Sequence, residues 1–400
     1  MSIYERFGVE PIINASGAVT RLGGAPMPGD VLQAFHAAAL QAVPLEKLQA
    51  AASKRIAALT DTEAGLVTSG SAAALTLGAA AIMTGYDLSR MERLPHAEGF
   101  PHEFVIAREQ RSGYDHAVRA AGARLVEVGF NEVVAGAGVR RAEAWEYEAA
   151  FNEQTAGVVY VYGPDAHPPL GDVVERAHAR GLPVLVDAAG ELPPRGNLKS
   201  IAAQGADLVA YSGGKAIRGP QSTGILCGRR ELIQAAALQM LDMDDHYELW
   251  DPPDGLIDKR RIDGIPRHGI GRGLKVSKEE VVALLAALDL FAAGAYDAEV
   301  ERSRGWLETI AAKLEFTSAT CVLHPSPDGE CPPILEIFID QRALGHSAMD
   351  VCRALRDGKP PIYVGHGKLP AGVLVVNPLC LSEMDVPTLA ERLREVLVAS

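Results

Sequence analysis

Short apolar runs alternate with longer amphipathic stretches through the first two thirds of the chain. The runs are typical of buried strands and lie at 65–68, 104–107, 125–128, 157–162, 183–186, 207–211 and 222–227. The stretches between them predict helices. This alternation indicates an α/β fold with a mostly parallel sheet covered by helices, in which ligands lie beyond the carboxyl ends of the strands.

The pattern changes in the last third, where helices and strands predict a smaller α+β C-terminal domain at 276–400. We assign residues 46–275 to a large domain and residues 1–45 to an extended arm that packs with the small domain. Residues 242–267 are polar and contain Pro252 and Pro253. A long polar stretch inside a compact domain is typical of a lid, so we predict a lid-like insertion there.

Composition limits the classes of function. The 400 residues are 48% hydrophobic with a net charge of −13, which disfavours nucleic acid and anionic membranes as partners. No apolar run reaches the roughly 20 residues of a membrane helix, and the polar N-terminus resembles no signal peptide. The five cysteines form no C-x-x-C pair and the histidines lack metal spacing. We therefore expect reduced thiols, a cytoplasmic location and no metal.

One lysine directly follows a predicted strand, in the run Ser212-Gly-Gly-Lys215-Ala-Ile-Arg-Gly-Pro-Gln221. Two glycines turn the chain ahead of Lys215 and hold its amine at the mouth of the sheet, where it suits a Schiff base. An ordinary loop lysine is the alternative, and this run alone does not decide between them. An NTPase phosphate loop is disfavoured, because Val209 replaces its first glycine and Ala216 its hydroxyl residue.

A second informative stretch, Ser69-Gly70-Ser71, lies between a predicted strand and a helix of small residues. Hydroxyl groups and free N–H groups at a helix N-terminus form an anion site, which favours a phosphate. The alternative is an ordinary serine N-cap.

An acid, Asp187, directly follows the predicted strand at 183–186. A carboxylate in that position needs a partner, although capping of a turn is the alternative. An acid and Lys215 at neighbouring strand ends, with a phosphate site at a third, match pyridoxal 5'-phosphate. The lysine would bind its aldehyde, the acid its ring nitrogen and the helix N-terminus its phosphate.

With these residues in place, the chain resembles the fold-type-I pyridoxal-phosphate enzymes, and within them the branch of bacterial selenocysteine synthase and D-glucosaminate-6-phosphate ammonia-lyase. The matching stretches are 13–17, 68–71, 125–129, 186–189, 212–221 and 272–278. The resemblance implies that Lys215 forms the Schiff base with the cofactor and that Asp187 contacts the ring nitrogen. It also implies that the phosphate is bound by Ser69, Gly70, Ser71 and Ser212. It further implies a homodimer or larger homo-oligomer.

Three departures from the family pattern matter. The N-terminal module with which selenocysteine synthase grips tRNA is not expected here, in agreement with the acidic charge. Gly24 stands where that enzyme has an arginine, and nearby Arg21 is our substitute candidate for substrate binding. Many relatives place a histidine over the cofactor ring after the strand at 104–107. Here Gln110 and Tyr114 are the candidates for that position.

Two cations, Arg272 and Lys275, precede a predicted helix. Like charges are unfavourable near a helix N-terminus, so we expect a substrate anion to offset them, with solvated surface cations as the alternative.

The predicted function is a pyridoxal-phosphate lyase that removes water and ammonia from a polar hydroxyamino acid. The sugar amino acids and serine- or threonine-like compounds are the substrate classes, and the product is a 2-oxo acid. The alternatives are aldol cleavage, transamination, β-replacement and a non-catalytic cofactor-binding protein. The sequence hardly separates these reactions, because the bound cofactor supplies the chemistry common to them.

Overall fold

The computed structural model describes residues 2–130, 141–326 and 329–398. Its strands are β1 (Ile13–Ala15), β2 (Ala64–Thr68), β3 (Glu103–Ala107), β4 (Arg124–Val128), β5 (Thr155–Val161), β6 (Val184–Asp187), β7 (Leu208–Ser212), β8 (Gly224–Gly228), β9 (Ala319–His324), β10 (Ile334–Ile339), β11 (Ile362–Val364) and β12 (Val373–Val376). Its helices are α1 (Gly29–Ala39), α2 (Leu45–Thr60), α3 (Gly70–Thr84), α4 (Leu88–Arg93), α5 (His116–Ala120), α6 (Ala144–Ala150), α7 (Leu170–His178), α8 (Asn197–Ser200), α9 (Arg230–Met240), α10 (Lys278–Ala292), α11 (Asp297–Lys313), α12 (Gln341–Leu344), α13 (Ala348–Arg356) and α14 (Asp385–Leu397).

The chain divides into two compact units. The first contains Met1–Pro26 and Ala293–Ser400, and the second contains Met27–Ala292. The boundaries we placed after residues 45 and 275 differ from these, because α1 and α2 both pack against α10 within the second unit. The Lys278 ammonium also donates to the last carbonyls of α1, at 2.9 Å from Ala38 O and 3.1 Å from Ala39 O.

In the described residues, the second unit is built on a seven-stranded sheet with the order β2-β8-β7-β6-β5-β3-β4. The five strands from β7 to β4 run parallel, and β8 is antiparallel to both of its neighbours. Strand β2 therefore points the same way as β7. Strands β2, β3 and β8 are buried along their whole length, as in a sheet covered on both faces. The predicted α/β class is confirmed.

Helix α3 is apolar on nearly every side, and most of its residues are buried. A helix of this composition belongs in a core. Its small side chains let it lie close to the sheet: a Cβ at Gly78 would be 2.9 Å from Leu185 Cδ1. The absence of a side chain at Gly78 therefore lets α3 lie close to the face of the sheet.

The edge strand β2 is covered by side chains of α2. The Gln49 amide pairs with Val67 as a neighbouring strand would, donating to Val67 O at 2.9 Å and accepting from Val67 N at 3.1 Å. The Ser53 hydroxyl accepts from Gly65 N at 3.1 Å. Both side chains are buried, so the backbone groups of this edge are satisfied inside the unit.

The predicted lid at 242–267 is wrong, because this segment packs into the core of the second unit. Five of its apolar side chains are almost fully buried, although Leu249 is exposed: Met243, Trp250, Leu256, Ile257 and Ile262. Polar groups hold the backbone between them, and Lys259 Nζ donates to Trp250 O at 2.6 Å. Most charged side chains of the segment are exposed, and the buried apolar residues are spaced among them. The mean polarity of the segment therefore does not reveal that it enters the core.

The first unit combines two small sheets with helices. Strand β1 pairs with β11 in parallel, and β12, β10 and β9 form an antiparallel sheet in that order. Residues of α11, α13 and α14 form an apolar core with these strands. This agrees with the predicted smaller α+β domain. In the described residues, no single helix has the length and apolar composition to cross a membrane.

Candidate active site

The strand pairing brings the predicted cofactor residues to one edge of the large sheet. Thr68 at the end of β2 pairs with Gly224, and Gly224 pairs with Ser212 at the end of β7. Asp187, the last residue of β6, pairs with Ala210 of β7. Since neighbouring strands lie roughly 5 Å apart, three predicted groups lie within a few strand spacings of one another. They are Ser69–Ser71, Asp187 and Lys215.

The loop that carries Lys215 is tightly constrained. A Cβ at Gly213 would be 2.2 Å from Thr223 Oγ1, and one at Gly214 would be 2.4 Å from Gln221 Cα. Gly213 N donates to Thr223 O at 2.8 Å, which closes the turn against the start of β8. Lys215 itself is half-buried. Both glycines are therefore required by space, and their close contacts restrict the backbone directly ahead of Lys215.

Backbone strain follows the lysine directly. Arg218 has φ = 62°, in the left-handed region that residues with a side chain seldom adopt, and it is 9% exposed. Its N–H donates to Lys215 O at 3.0 Å. A non-glycine residue in this conformation costs about 1–3 kcal/mol, and such strain concentrates at functional sites.

Asp187 lies partly buried on the same side as the lysine amine. Its Oδ1 accepts from Ala189 N at 3.0 Å. Burial raises the pKa of the Asp187 carboxyl, while the Ala189 N–H and the charge of Lys215 act in the opposite direction. The Lys215 Nζ lies 3.9 Å from the position of a Cβ built on Gly190. The acid and the amine therefore share one pocket at the end of β6.

A second acid, Glu191, lies at the site and was not predicted from the sequence. It lies one turn after Asp187, and its N–H donates to Ala188 O at 3.2 Å. Its side chain is half-buried and interacts electrostatically with both Lys215 and Asp187, and burial raises the pKa of its carboxyl. The sequence feature that could have indicated Glu191 is its position, four residues after Asp187, in the turn that follows β6.

The N-terminus of α3 is open to a ligand. Helix α3 begins at Gly70, which has φ = 85°, and the Ser69 N-cap makes no side-chain bond to the helix. Among the residues the structure describes, the hydroxyls of Ser69, Ser71 and Ser212 have no hydrogen-bond partner. The first turn also has free N–H groups. Three hydroxyls and a helix N-terminus at one sheet edge are groups of the kind that bind an oxyanion.

The two predicted ring-stacking residues differ in position. Gln110 is 9% exposed, and its amide is held by backbone, accepting from Val161 N at 2.9 Å and contacting His167 O at 3.4 Å. Val161 pairs with Asp187, so Gln110 supports the strand beside the acid. Tyr114 is 74% exposed on a short turn. Among the described residues, neither side chain has a hydrogen bond to Asp187 or Lys215.

The predicted anion-binding cations are partly neutralised within the chain. Arg272 Nη2 lies 2.5 Å from Asp242 Oδ2, so a carboxylate of the protein supplies the opposite charge that we expected from a substrate. Arg272 Nε is nevertheless buried without a hydrogen-bond partner. Lys275 is exposed. The two cations and Glu280 line a cavity of about 450 Å³, and Ser222 beside the lysine loop donates to Glu280.

Arg21 belongs to the first unit, where it lies exposed in the turn Thr20–Leu22.

Comparison with known proteins identifies relatives of the whole chain. Residues 113–243 match the family model of L-seryl-tRNA selenium transferase. A D-glucosaminate-6-phosphate ammonia lyase of Salmonella typhimurium is 28% identical over 99% of this chain and 98% of its own. A 5'-C-glycyluridine monooxygenase-decarboxylase of Streptomyces sp is 30% identical over 99% of this chain and 92% of its own. The solved structure of D-glucosaminate-6-phosphate ammonia-lyase superposes with a TM-score of 0.81 over 99% of this chain and 98% of that chain, at 28% identity.

The fold and its likeness to the solved ammonia-lyase define a fold-type-I enzyme of the pyridoxal-phosphate class. Within that class, the chain belongs to the family of bacterial selenocysteine synthase and D-glucosaminate-6-phosphate ammonia-lyase.

The raised pKa values of Asp187 and Glu191 predict a pH dependence of stability. The folded, cofactor-free protein holds these protons more tightly than the unfolded chain. Their stabilising contribution is therefore complete below the unfolded pKa and is lost as pH rises through the folded pKa. Asp187→Asn and Glu191→Gln should each reduce the fall in unfolding free energy between about pH 4 and about pH 7. Urea unfolding across that range measures the difference from wild type.

Glu153→Gln is the matched control for this experiment, because Glu153 is exposed in the loop before β5. It should follow the wild-type pH profile. Identical profiles in Asp187→Asn, Glu191→Gln and wild type would show that burial of the two carboxyls does not shift their titration.

Proposed function

We propose that this chain is a pyridoxal-phosphate-dependent lyase that releases ammonia from a hydroxyamino acid and forms a 2-oxo acid. The observation that carries the proposal is the strand-end arrangement of Lys215, Asp187 and the free hydroxyls beside α3. The likeness to an ammonia lyase over nearly the full length of both chains supports the type of reaction. A sugar amino acid carrying a phosphate is the substrate class that this relative's name suggests.

The residues present fit pyridoxal 5'-phosphate. Ser69, Gly70, Ser71 and Ser212 would hold the phosphate, Lys215 would bind the aldehyde and Asp187 would face the ring nitrogen. When bound, the cofactor would spread the negative charge that is left on the α-carbon of the substrate. The buried setting of Asp187 suits this role, because its carboxylate would find in a protonated ring nitrogen the partner that burial requires.

Two side chains would move the protons of the reaction. The Lys215 amine would take the proton from the α-carbon, and Glu191 would give a proton to the β-hydroxyl, which leaves as water. The resulting enamine hydrolyses to a 2-oxo acid and ammonia, so the water that leaves is regained. The raised pKa of Glu191 supports its part, because a general acid must hold its proton near the working pH.

The anionic groups of the substrate would bind to cations at the site. We keep Arg272 and Lys275 for this role on the evidence of their shared cavity and of the buried, unpartnered Arg272 Nε. Displacement of Asp242 by the substrate would then be required for a bidentate bond to Arg272.

A second candidate function is oxidative decarboxylation, favoured by the 30% identity to a monooxygenase-decarboxylase. The two reactions are separated by their products. A screen of D- and L-hydroxyamino acids with purified, cofactor-loaded protein should release ammonia and a 2-oxo acid without an amino acceptor and without consumption of oxygen. Release of carbon dioxide with consumption of oxygen would instead support the second candidate.

We also propose a homodimer or larger homo-oligomer that works in the cytoplasm on a small-molecule amino acid. The five cysteines, which form no disulfide, and the net charge of −13 support this setting and a role without nucleic acid.

The roles of Lys215 and Asp187 predict two distinct spectroscopic and kinetic results. Wild type should show a visible absorption band with the cofactor, and Lys215→Ala should lose it. Asp187→Asn should keep the cofactor bound but lose most activity, because a neutral amide no longer holds the ring nitrogen protonated. Absorbance and ammonia release measure both effects. A colourless wild type that gains no band with added cofactor would contradict the proposal, and full activity in Asp187→Asn would reduce Asp187 to a turn cap.

The separate proton transfers of Lys215 and Glu191 predict different defects in deuterated water. Lys215→Ala should lose both exchange of the α-proton and release of ammonia. Glu191→Gln should still exchange the α-proton, while ammonia release falls by roughly 10²–10⁴-fold. NMR of the substrate and an ammonia assay measure the two steps, with Glu153→Gln as an exposed control. If Glu191→Gln releases ammonia at the wild-type rate, another group protonates the leaving hydroxyl.

A substrate anion at Arg272 and Lys275 predicts a kinetic loss without a spectroscopic one. Loss of one charge-assisted hydrogen bond in Arg272→Ala should lower kcat/KM by roughly 10- to 150-fold, while the visible band is unchanged. Asp242→Asn removes the carboxylate partner but keeps the arginine, and it should leave kcat/KM nearly unchanged or raise it. If Asp242→Asn reproduces the loss, Arg272 acts only through its ion pair. Near-wild-type kinetics in both Arg272→Ala and Lys275→Ala would exclude the anion site.

A further inference from the structure

Two arginines of the first unit lie over one tyrosine ring. Tyr363 is the central residue of β11, and it pairs with Asn14 of β1. Arg356 ends helix α13 with its Cζ 5.0 Å from the centre of the Tyr363 ring. Arg21 approaches the same ring with its Cζ at 5.7 Å. Two guanidinium groups, brought together from distant parts of the sequence, therefore lie less than about 11 Å apart.

No carboxylate compensates this pair. In the residues described for the first unit, neither Arg21 nor Arg356 has an acidic oxygen within 4.0 Å. The neighbouring Arg353 of the same helix does, since it lies 2.9 Å from Asp350, and Arg392 lies 2.6 Å from Glu395. Arg21 and Arg356 therefore differ from Arg353 and Arg392, because they share one ring and neither has an acidic partner among the residues that the structure describes.

A hydrogen-bond donor at this place is also unsatisfied. Arg356 Nε is buried and has no hydrogen-bond partner, and buried N–H groups are seldom left in that state. A position at the C-terminus of α13 accounts for a positive charge there, but it does not supply an acceptor to Nε. The Tyr363 ring attracts both cations through its face, yet it neutralises neither of them.

We propose that Arg21, Arg356 and Tyr363 form a binding site for an oxyanion, a phosphate or carboxylate group. A guanidinium presents planar N–H groups that match such groups in pairs, and its attraction to the face of the ring restricts where it lies. His366 adds a further nitrogen, with its Nδ1 3.5 Å from Arg21 Nη2. The oxyanion would supply the acceptor that Arg356 Nε lacks and the negative charge that both arginines lack.

Direct binding of inorganic phosphate to the cofactor-loaded protein tests the site, because the bound cofactor occupies its own phosphate position. Calorimetry should detect phosphate binding in which one site per chain is lost, or weakened roughly 10-fold or more, in Arg356→Ala and in Arg21→Ala, whereas any phosphate bound at Arg272 and Lys275 should be retained. Arg356→Lys keeps the charge without the planar fork and should also bind more weakly than wild type. Succinate serves as a carboxylate probe in the same experiment.

Arg353→Ala is the matched control, since it removes an arginine from the same helix that already has an acidic partner. It should bind phosphate as wild type does. Arg21 is exposed, so Arg21→Ala gives a second test that does not depend on the packing of α13. Unchanged affinity and stoichiometry in both Arg356→Ala and Arg21→Ala would overturn the site. So would a wild-type protein that binds neither phosphate nor succinate.

A kinetic arm, which rests on the proposed function, distinguishes the source of the oxyanion. If the group belongs to the substrate, phosphate should compete with it, and Arg356→Ala should raise KM more than it lowers kcat. If the group is free phosphate, its addition should change turnover without competing with substrate. The calorimetric result stands in either case, so the site and the proposed reaction can fail separately.

Discussion

The site depends on one close approach between backbones, at Gly224. A Cβ there would lie 2.4 Å from Gly70 C and 2.6 Å from Ser71 N, so only glycine lets the first turn of α3 rest on β8. Because Gly224 also pairs with Ser212, this contact sets the free hydroxyls beside the loop that carries Lys215. The oxyanion site and the amine are thus placed by packing of the main chain, and side-chain contacts add to it.

Much of this arrangement could be predicted from sequence because it follows from strand order. Apolar runs reveal the buried strands, and residues that directly follow parallel strands must meet at one edge. Lys215 and Asp187 are predicted as site residues in this way, and Ser69 is predicted from the helix start that follows β2. The class of fold follows from the same alternation.

The features that sequence did not reveal depend on tertiary packing. Glu191 faces the lysine only because the chain turns back after β6, and no periodicity records that turn. The composition of segment 242–267 predicts a lid because charged residues dominate it, although several of its apolar residues are buried in the core. Arg272 pairs with Asp242, and Arg356 contacts the ring of Tyr363 without an acidic partner in the described part of the chain. Because these contacts are between different elements, sequence alone could not distinguish an arginine in an ion pair from one without it.

The pairing of Gln49 with Val67 has a consequence for contacts with other chains. An unpaired edge strand is a template on which a foreign strand can add, and such addition leads to domain swapping or fibrils. At β2 the amide of Gln49 already occupies the hydrogen-bonding positions that an added strand would use, and α2 covers the row. This side of the sheet is therefore closed to extension by β-augmentation, so a partner that docks here must engage the surface of a helix.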